Sequence, residues 1–285
     1  MGDRRQVIID AMFSQGLEAI DEAGNSLLQK AISIQDNALC FFLLYNNPNL
    51  HHQNSFGYTA LHSLVLQDNF LITDALLSSI DSEKQTQLLT IGDYKGDTPV
   101  HFAVTSNNYV FVNYFLNCLS VDPDTIKNIK GYSPGDVAVM QGNLDTLQLF
   151  PIKQSFVYLA IEHGHETIVK YLVDGKRIKL HQANEEGLTV VHVAAKYNRK
   201  SILQYLYTKK ANVYSLTNDG NTALHVAAEA GSLEIVKWLV GIYRLDKKQK
   251  FILHKNNYKR TALHYAARKG QSDIVEILIK YSKKL

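Results

Sequence analysis

The chain has 285 residues, of which 46% are hydrophobic and 20% charged, a balance that excludes an intrinsically disordered polymer and allows one elongated domain or two compact ones. Its net charge of +3 conceals a polarity: residues 1–150 carry 7 Lys+Arg against 16 Asp+Glu, whereas residues 241–285 carry 12 against 3. Such asymmetry bears on partners and steering rather than on fold.

The first twenty residues, MGDRRQVIIDAMFSQGLEAI, hold no apolar run of the kind that directs secretion, and Gln6 stands where an N-myristoylation signal needs Ser or Thr. They read as an amphipathic capping helix over 1–20. GNSLLQKA (24–31) follows, then the apolar run ALCFFLLY (38–45), which is far short of the ~20 residues that span a bilayer. Cys40 lies in this helical stretch and Cys118 in another; no CxxC or Cys/His spacing accompanies either, so both are expected as buried thiols of a reducing compartment. GYTALHSL (57–64) repeats the earlier phrase with a fuller spelling, and GDTPVHFA (96–103) repeats it again. GYSPGDVA (131–138) and KQSFVYLA (153–160) are weaker copies, and GLTVVHVA (187–194), GNTALHVA (220–227) and KRTALHYA (259–266) are strong ones.

The Thr or Ser of these phrases falls at 26, 59, 98, 133, 155, 189, 222 and 261, with spacings of 33, 39, 35, 22, 34, 33 and 39. A period near 33 with a T-x-L-H-x-A phrase resembles the ankyrin repeat. The amphipathic stretches HETIVKYLV (165–173), SLEIVKWLV (232–240) and QSDIVEILI (271–279) read as its second helix, with apolar residues such as Ile235, Trp238 and Leu239 on one face. Thr or Ser caps the first helix, and the preceding Gly serves a turn at positive φ. The resemblance runs from about residue 21 to the end. It implies an all-α solenoid of stacked helix-turn-helix units with short β-hairpin fingers, each unit burying its apolar face only against a neighbour.

The same resemblance explains His62, His101, His192, His225 and His264 as structural residues of the phrase rather than catalytic ones. His163 and His165 flank an inter-helix turn, and the adjacent His51 and His52 point to opposite faces of an extended segment, so neither pair suits a metal. Acidic pairs such as Asp21–Glu22 and Glu185–Glu186 fall in solvated fingers. Phosphate-binding loops and a nucleophile elbow are absent from the sequence. No catalytic, cofactor-binding or metal-ligating residue is expected, and the protein is read as non-enzymatic.

The spacing of 22 between Ser133 and Ser155 leaves no room for a finger. It predicts a helix ending near Phe150, a break at Pro151 and a new helix at once, with a bend near residue 151. Two sub-arrays, 21–150 and 151–285, follow. The two spacings of 39 mark insertions near 78–93 and 241–257, expected as plain loop elongations rather than as extensions of a binding face.

Ankyrin repeats generally bind other proteins with finger tips and the concave face of the first helices. Residue by residue, the finger-tip candidates are Phe56, Tyr94, Lys95, Ile129, Lys130, Glu185, Glu186, Asp219 and Tyr258, with apolar tips as hot-spot candidates. Lys196, Tyr197, Glu229, Arg268 and Lys269 are the concave candidates. The expected partner of this monomer is a protein. The Asn-, Lys-, Ile- and Tyr-rich composition resembles arrays that intracellular bacterial pathogens place in host cytosol without a Sec signal, which would make the partner a host protein and the chain an effector. The alternative is an anionic surface, nucleic acid or lipid headgroup, held by the basic residues 247–269.

Overall fold

The computed structural model describes residues 2–282, so Lys283 and Lys284 of the basic chain end lie outside the described residues. The described chain forms 18 α-helices and two short 3-10 helices, and it divides into two compact units, Met1–Phe150 and Pro151–Leu285.

The first unit opens with α1 (Gly2–Gln15), which packs on α2 and buries Ile8. Its apolar residues are not cleanly segregated, because Val7 and Phe13 remain exposed, so α1 is less amphipathic than the sequence suggests. Helix pairs follow: α2 (Leu27–Ser33) with α3 (Asn37–Tyr45), α4 (Ala60–Leu66) with α5 (Phe70–Ser78), and, after α6 (Ser82–Thr90), α7 (Pro99–Thr105) with α8 (Tyr109–Cys118). α9 (Pro134–Gln141) and the single turn α10 (Leu144–Leu147) close the unit. In the second unit the pairs are α11 (Ser155–His163) and α12 (Glu166–Asp174), α13 (Val190–Lys196) and α14 (Lys200–Thr208), α15 (Ala223–Ala230) and α16 (Leu233–Leu245), and α17 (Ala262–Arg268) and α18 (Ser272–Ser282).

Within each unit the first helices stack on one another and the second helices form an outer layer. Leu61, Leu64, Val100, Ala103 and Val104 fill the first interface, and Val191, Ala194, Leu224 and Ala227 fill its counterpart in the second unit. Alanine at 194 and 227 lets neighbouring helices approach closely, which is how seven- and eight-residue helices remain stable although too short to persist alone.

All the first helices but α11 begin the same way. Ser26, Thr59, Thr98, Ser133, Thr189, Thr222 and Thr261 are N-caps in extended backbone, and the residue three further on completes a capping box. Ser155 departs from this frame: it is the first helical residue, preceded by Gln154, so it caps nothing. The junction before it also differs from the sequence expectation. α10 ends at Leu147, three residues before Phe150, and α11 starts at Ser155 rather than at Pro151. Phe150 is buried, so the connecting residues are held by packing rather than by helix propensity.

The insertions are not plain loops. The first folds as α6, capped by Asp81, with Leu88 and Leu89 buried against α7 and α8. The second lengthens α16 to 13 residues and adds a 3-10 turn over Gln249–Leu253 that buries Ile252. There Phe251 covers the buried Tyr243 with ring centroids 5.8 Å apart. Both segments carry enough apolar side chains to be worth folding, which a length count does not reveal.

Candidate functional site

Every finger is a five-residue loop closed on itself. In the best example Asn54 donates its N–H to the Tyr58 carbonyl at 3.0 Å and Gly57 donates to the Asn54 carbonyl at 2.8 Å. The Asn54 side-chain oxygen accepts the N–H groups of Phe56 and Tyr58, both at 3.0 Å. Asp93, Asn128 and Asn256 repeat this, each holding two tip amides at 2.8–3.1 Å. These fingers are therefore turns built around an Asx side chain, with Thr217 taking that place in the finger 217–221, and no regular strand forms among the described residues; Ile20–Ser26 and Ala183–Thr189 are isolated bridges. Asn54, Asp93 and Asn128 lie three residues before a finger glycine, and Asn256 three before Lys259, which takes the same positive-φ place. That spacing is legible in the sequence, beside the stronger Thr and His signal of the helix that follows.

Neighbouring fingers are bonded directly. Ser55 donates to the Ala23 carbonyl, Ile129 to that of Lys95 and Asn257 to that of Asp219, each at 3.0 Å. The approach is tight: a Cβ on Gly96, which sits at φ 72°, would stand 2.8 Å from the Ile129 nitrogen.

A second ladder runs beneath. His62 accepts the Thr59 N–H on Nδ1 at 3.1 Å and donates from Nε2 to the Asp97 carbonyl in the next finger at 2.9 Å. A carbonyl only accepts, so Nε2 carries the proton and the ring is neutral. His101, His192 and His225 reach the carbonyls of Tyr132, Asn221 and Arg260 in the same way at 3.0–3.2 Å. Burial pushes His62, His192 and His225 down to about 4, and it lowers His101 as well. Gln29 occupies the same slot, accepting the Ser26 N–H on Oε1 at 2.9 Å and donating to the Tyr58 carbonyl at 2.6 Å. Tyr158 stands at the same position in α11, but its hydroxyl donates at 2.7 Å to the Gln182 carbonyl, ahead of the finger 184–188 rather than at its closing residue. Asp136 fills the slot in α9 as an acceptor for Ser133. In this position the histidines are couplers between helix pairs.

The family model for ankyrin repeats (3 copies) matches residues 27–127, 136–216, 156–250 and 209–285. This chain belongs to the ankyrin-repeat family. A B-cell lymphoma 3 protein homolog from Mus musculus is 26% identical over 166 residues, which are 52% of this chain and 37% of the mouse protein. The chain thus spans well under half the length of that curated relative. Ankyrin repeats are an interaction-scaffold family whose members generally bind other proteins.

The ankyrin frame sorts the sequence-predicted surface residues into two groups, one on each unit. In the first unit Phe56, Tyr94 and Ile129 are 61%, 70% and 74% exposed on their tips. Tyr94 and Ile129 take the first tip position of adjacent fingers, while Phe56 takes the second position, in register with the exposed Lys95 and Lys130. Phe56 leans on Tyr58, the ring centroids 5.7 Å apart.

In the second unit Glu186, Lys196, Asp219 and Glu229 line one groove of about 360 Å³, together with Leu188, Val226 and Ala230. Lys196 pairs with Glu186 at 2.8 Å, and Glu229 receives Arg268 at 2.7 Å and Lys269 at 3.9 Å. Tyr258, 61% exposed, donates its hydroxyl to Asp219 at 3.3 Å. Tyr197 lies beside Lys196 under a cation–π contact of 5.5 Å, and Glu185 stands exposed outside the groove. Such exposed pairs are individually worth about 0–1 kcal/mol, so an incoming charge exchanges for them at little cost.

Other polar clusters have structural roles. His52 bonds the Gly24 carbonyl at 2.6 Å while His51 faces solvent, and the His163 and His165 rings stack with centroids 6.2 Å apart. Among the described residues no three His, Cys, Asp or Glu side chains converge as a metal site, and no helix is long and apolar enough to cross a membrane. Cys40 is buried, which pushes its thiol up to about 12.

Proposed function

We propose that the chain is a non-enzymatic scaffold that binds a partner protein through the finger tips and the concave groove of its ankyrin repeats. The observation that carries this reading is the presentation of Phe56, Tyr94 and Ile129 on tips ordered by backbone bonds from the amides of Phe56, Lys95 and Ile129. Apolar side chains held on a pre-ordered backbone lose little entropy on binding and serve well as hot spots. The groove around Lys196 and Glu229 supplies the polar specificity of the same reading, with Tyr258 at its rim. Its Asn-, Lys-, Ile- and Tyr-rich composition supports a host-cell protein as the partner and an effector role in host cytosol. Affinity capture from eukaryotic cytosolic lysate, at physiological and high salt, compares the wild type with Phe56→Ala/Tyr94→Ala/Tyr258→Ala. A protein retained at high salt by the wild type and lost by the triple variant supports the proposal.

A second reading, binding of an anionic surface, is favoured by one observation. Lys247, Lys250, Lys255, Lys259 and Arg260 make no ion pair among the described residues, unlike Lys170, Lys196, Lys200, Lys209 and Lys237. Capture abolished by salt and indifferent to the triple variant would move the function to this segment.

A further inference from the structure

The outer face of the second helices differs between the two units in the same register. Counting from each N-cap, the second and fifth positions of α12, α14 and α16 are Thr167 and Lys170, Ser201 and Gln204, and Glu234 and Lys237. Ion pairs cross this face, Lys170–Glu166 at 2.7 Å, Lys200–Glu234 at 3.0 Å and Lys237–Glu234 at 2.8 Å. It is an ordinary solvated helix surface.

In the first unit the same registers read Ala38 and Phe41, Leu71 and Asp74, and Val110 and Asn113, and further apolar residues beside them are exposed. Phe41, Phe42 and Tyr45 on α3 are 43%, 48% and 86% exposed, Leu71 on α5 is 56%, and Tyr109 and Val110 on α8 are 48% and 56%. The three helices adjoin: Asn69 donates to Asn37 at 2.8 Å, and the Phe70 ring lies 5.1 Å from Tyr114. Their exposed apolar residues therefore share one ridged surface, of a kind that isolated soluble arrays rarely leave in water. The charge around it is one-sided. α3, α5 and α8 contain no lysine or arginine, and their one acid, Asp74, lies exposed at the register of Phe41. Residues 1–150 as a whole are 7 Lys+Arg against 16 Asp+Glu, so anything that docks here enters a negative field.

We propose that this outer face of the first unit is a second docking surface, and that its occupant is an amphipathic helix of a partner protein whose apolar stripe is flanked by lysine or arginine. The ridges of α3, α5 and α8 leave inter-helix furrows that receive side chains repeating at i, i+3 and i+4, while the cationic flanks complement Asp74 and the acidic unit. An anionic lipid surface is disfavoured by the same field. The proposal does not depend on the finger reading, because none of these residues lies on a finger.

The test uses the whole chain and a labelled Leu/Lys peptide of about five helical turns with Leu at i, i+3 and i+4. A Leu/Glu peptide of identical pattern serves as its control, and fluorescence anisotropy reads both. The variant Phe41→Lys/Leu71→Ser/Val110→Thr installs the residues that the second unit carries at those registers. Each site is more than 40% exposed, so the thermal melt by circular dichroism stays at the wild-type value. We expect the Leu/Lys peptide to bind the wild type and to lose roughly tenfold or more in affinity on the variant. The Leu/Glu peptide should bind the wild type more weakly by a similar factor. The finger variant Phe56→Ala/Tyr94→Ala/Tyr258→Ala should leave Leu/Lys binding unchanged, which separates failure of this proposal from failure of the finger reading. Equal affinity of wild type and outer-face variant overturns it, as does equal binding of the two peptides. A wild-type dimer in sedimentation that the variant abolishes overturns it in favour of a second copy. Variant-sensitive binding to phosphatidylserine vesicles without peptide binding overturns it in favour of a membrane.

Discussion

His62 couples two helix pairs, and its replacement isolates what that coupling is worth. His62→Ala removes the acceptor for the Thr59 N–H and the donor to the Asp97 carbonyl. Both groups lie in an interface from which water is largely excluded, since His62 and Thr59 are 0% and 1% exposed. Each orphaned group costs about 1–3 kcal/mol, and the space left by the imidazole adds to this, giving roughly 3–5 kcal/mol in all. His62→Gln should restore both bonds, because Gln29 makes the same pair in the first repeat with an amide. Its cost should fall below about 1 kcal/mol. Urea unfolding followed by far-ultraviolet circular dichroism measures both variants, and because repeat arrays are held by nearest-neighbour terms the loss should appear as earlier unfolding of the first unit. If His62→Gln were as destabilising as His62→Ala, the ladder would not be a hydrogen-bond coupler and the slot would be a matter of ring packing.

Three further outcomes follow from the same geometry. His62, His192 and His225 titrate near 4 in the fold because they are buried, against 6.5 when unfolded, so between these values the unfolded chain binds more protons. Stability should be fully present above about pH 6.5 and decline toward pH 4, by on the order of 3 kcal/mol per histidine, and a melting temperature unchanged between neutral pH and pH 5 would contradict this. Gly96→Ala places a Cβ 2.8 Å from the Ile129 nitrogen at positive φ, whereas Gly131, also at positive φ, has nothing within 4 Å of its Cβ direction. Gly96→Ala should therefore cost at least about 2 kcal/mol and Gly131→Ala about 1 kcal/mol in denaturant titrations. Cys40, buried with its thiol raised to about 12, should react with a thiol reagent at pH 8 only as fast as the first unit unfolds, and immediate labelling would show that the packing around α3 is looser than described.

The repeat period, the Thr caps and the histidine slot were all legible in the sequence, because each is a local demand repeated at a fixed interval: a cap needs a hydroxyl, a tight finger needs Gly, and a coupler needs one acceptor and one donor. The slot also shows the limit of spelling. Gln29 does the work of histidine with an unrelated side chain, and only its partner across the interface, the Tyr58 carbonyl, reveals the equivalence. Ser155 had the right letter and the wrong place, since without a finger ahead of it the backbone is already helical at Gln154.

The sequence by itself determined that the chain is a stack of ankyrin units and which residues stand at each finger tip, since both depend on short-range periodicity. Tertiary structure decided that the two insertions fold rather than loop, because burial of Leu88, Leu89 and Ile252 requires neighbours distant in sequence. It decided too that Lys196, Glu229 and Arg268 offer themselves as paired charges. And it alone separated the buried apolar residues of α3, α5 and α8 from those left in water: a hydrophobic run such as FFLLY names no face until other helices have covered the rest.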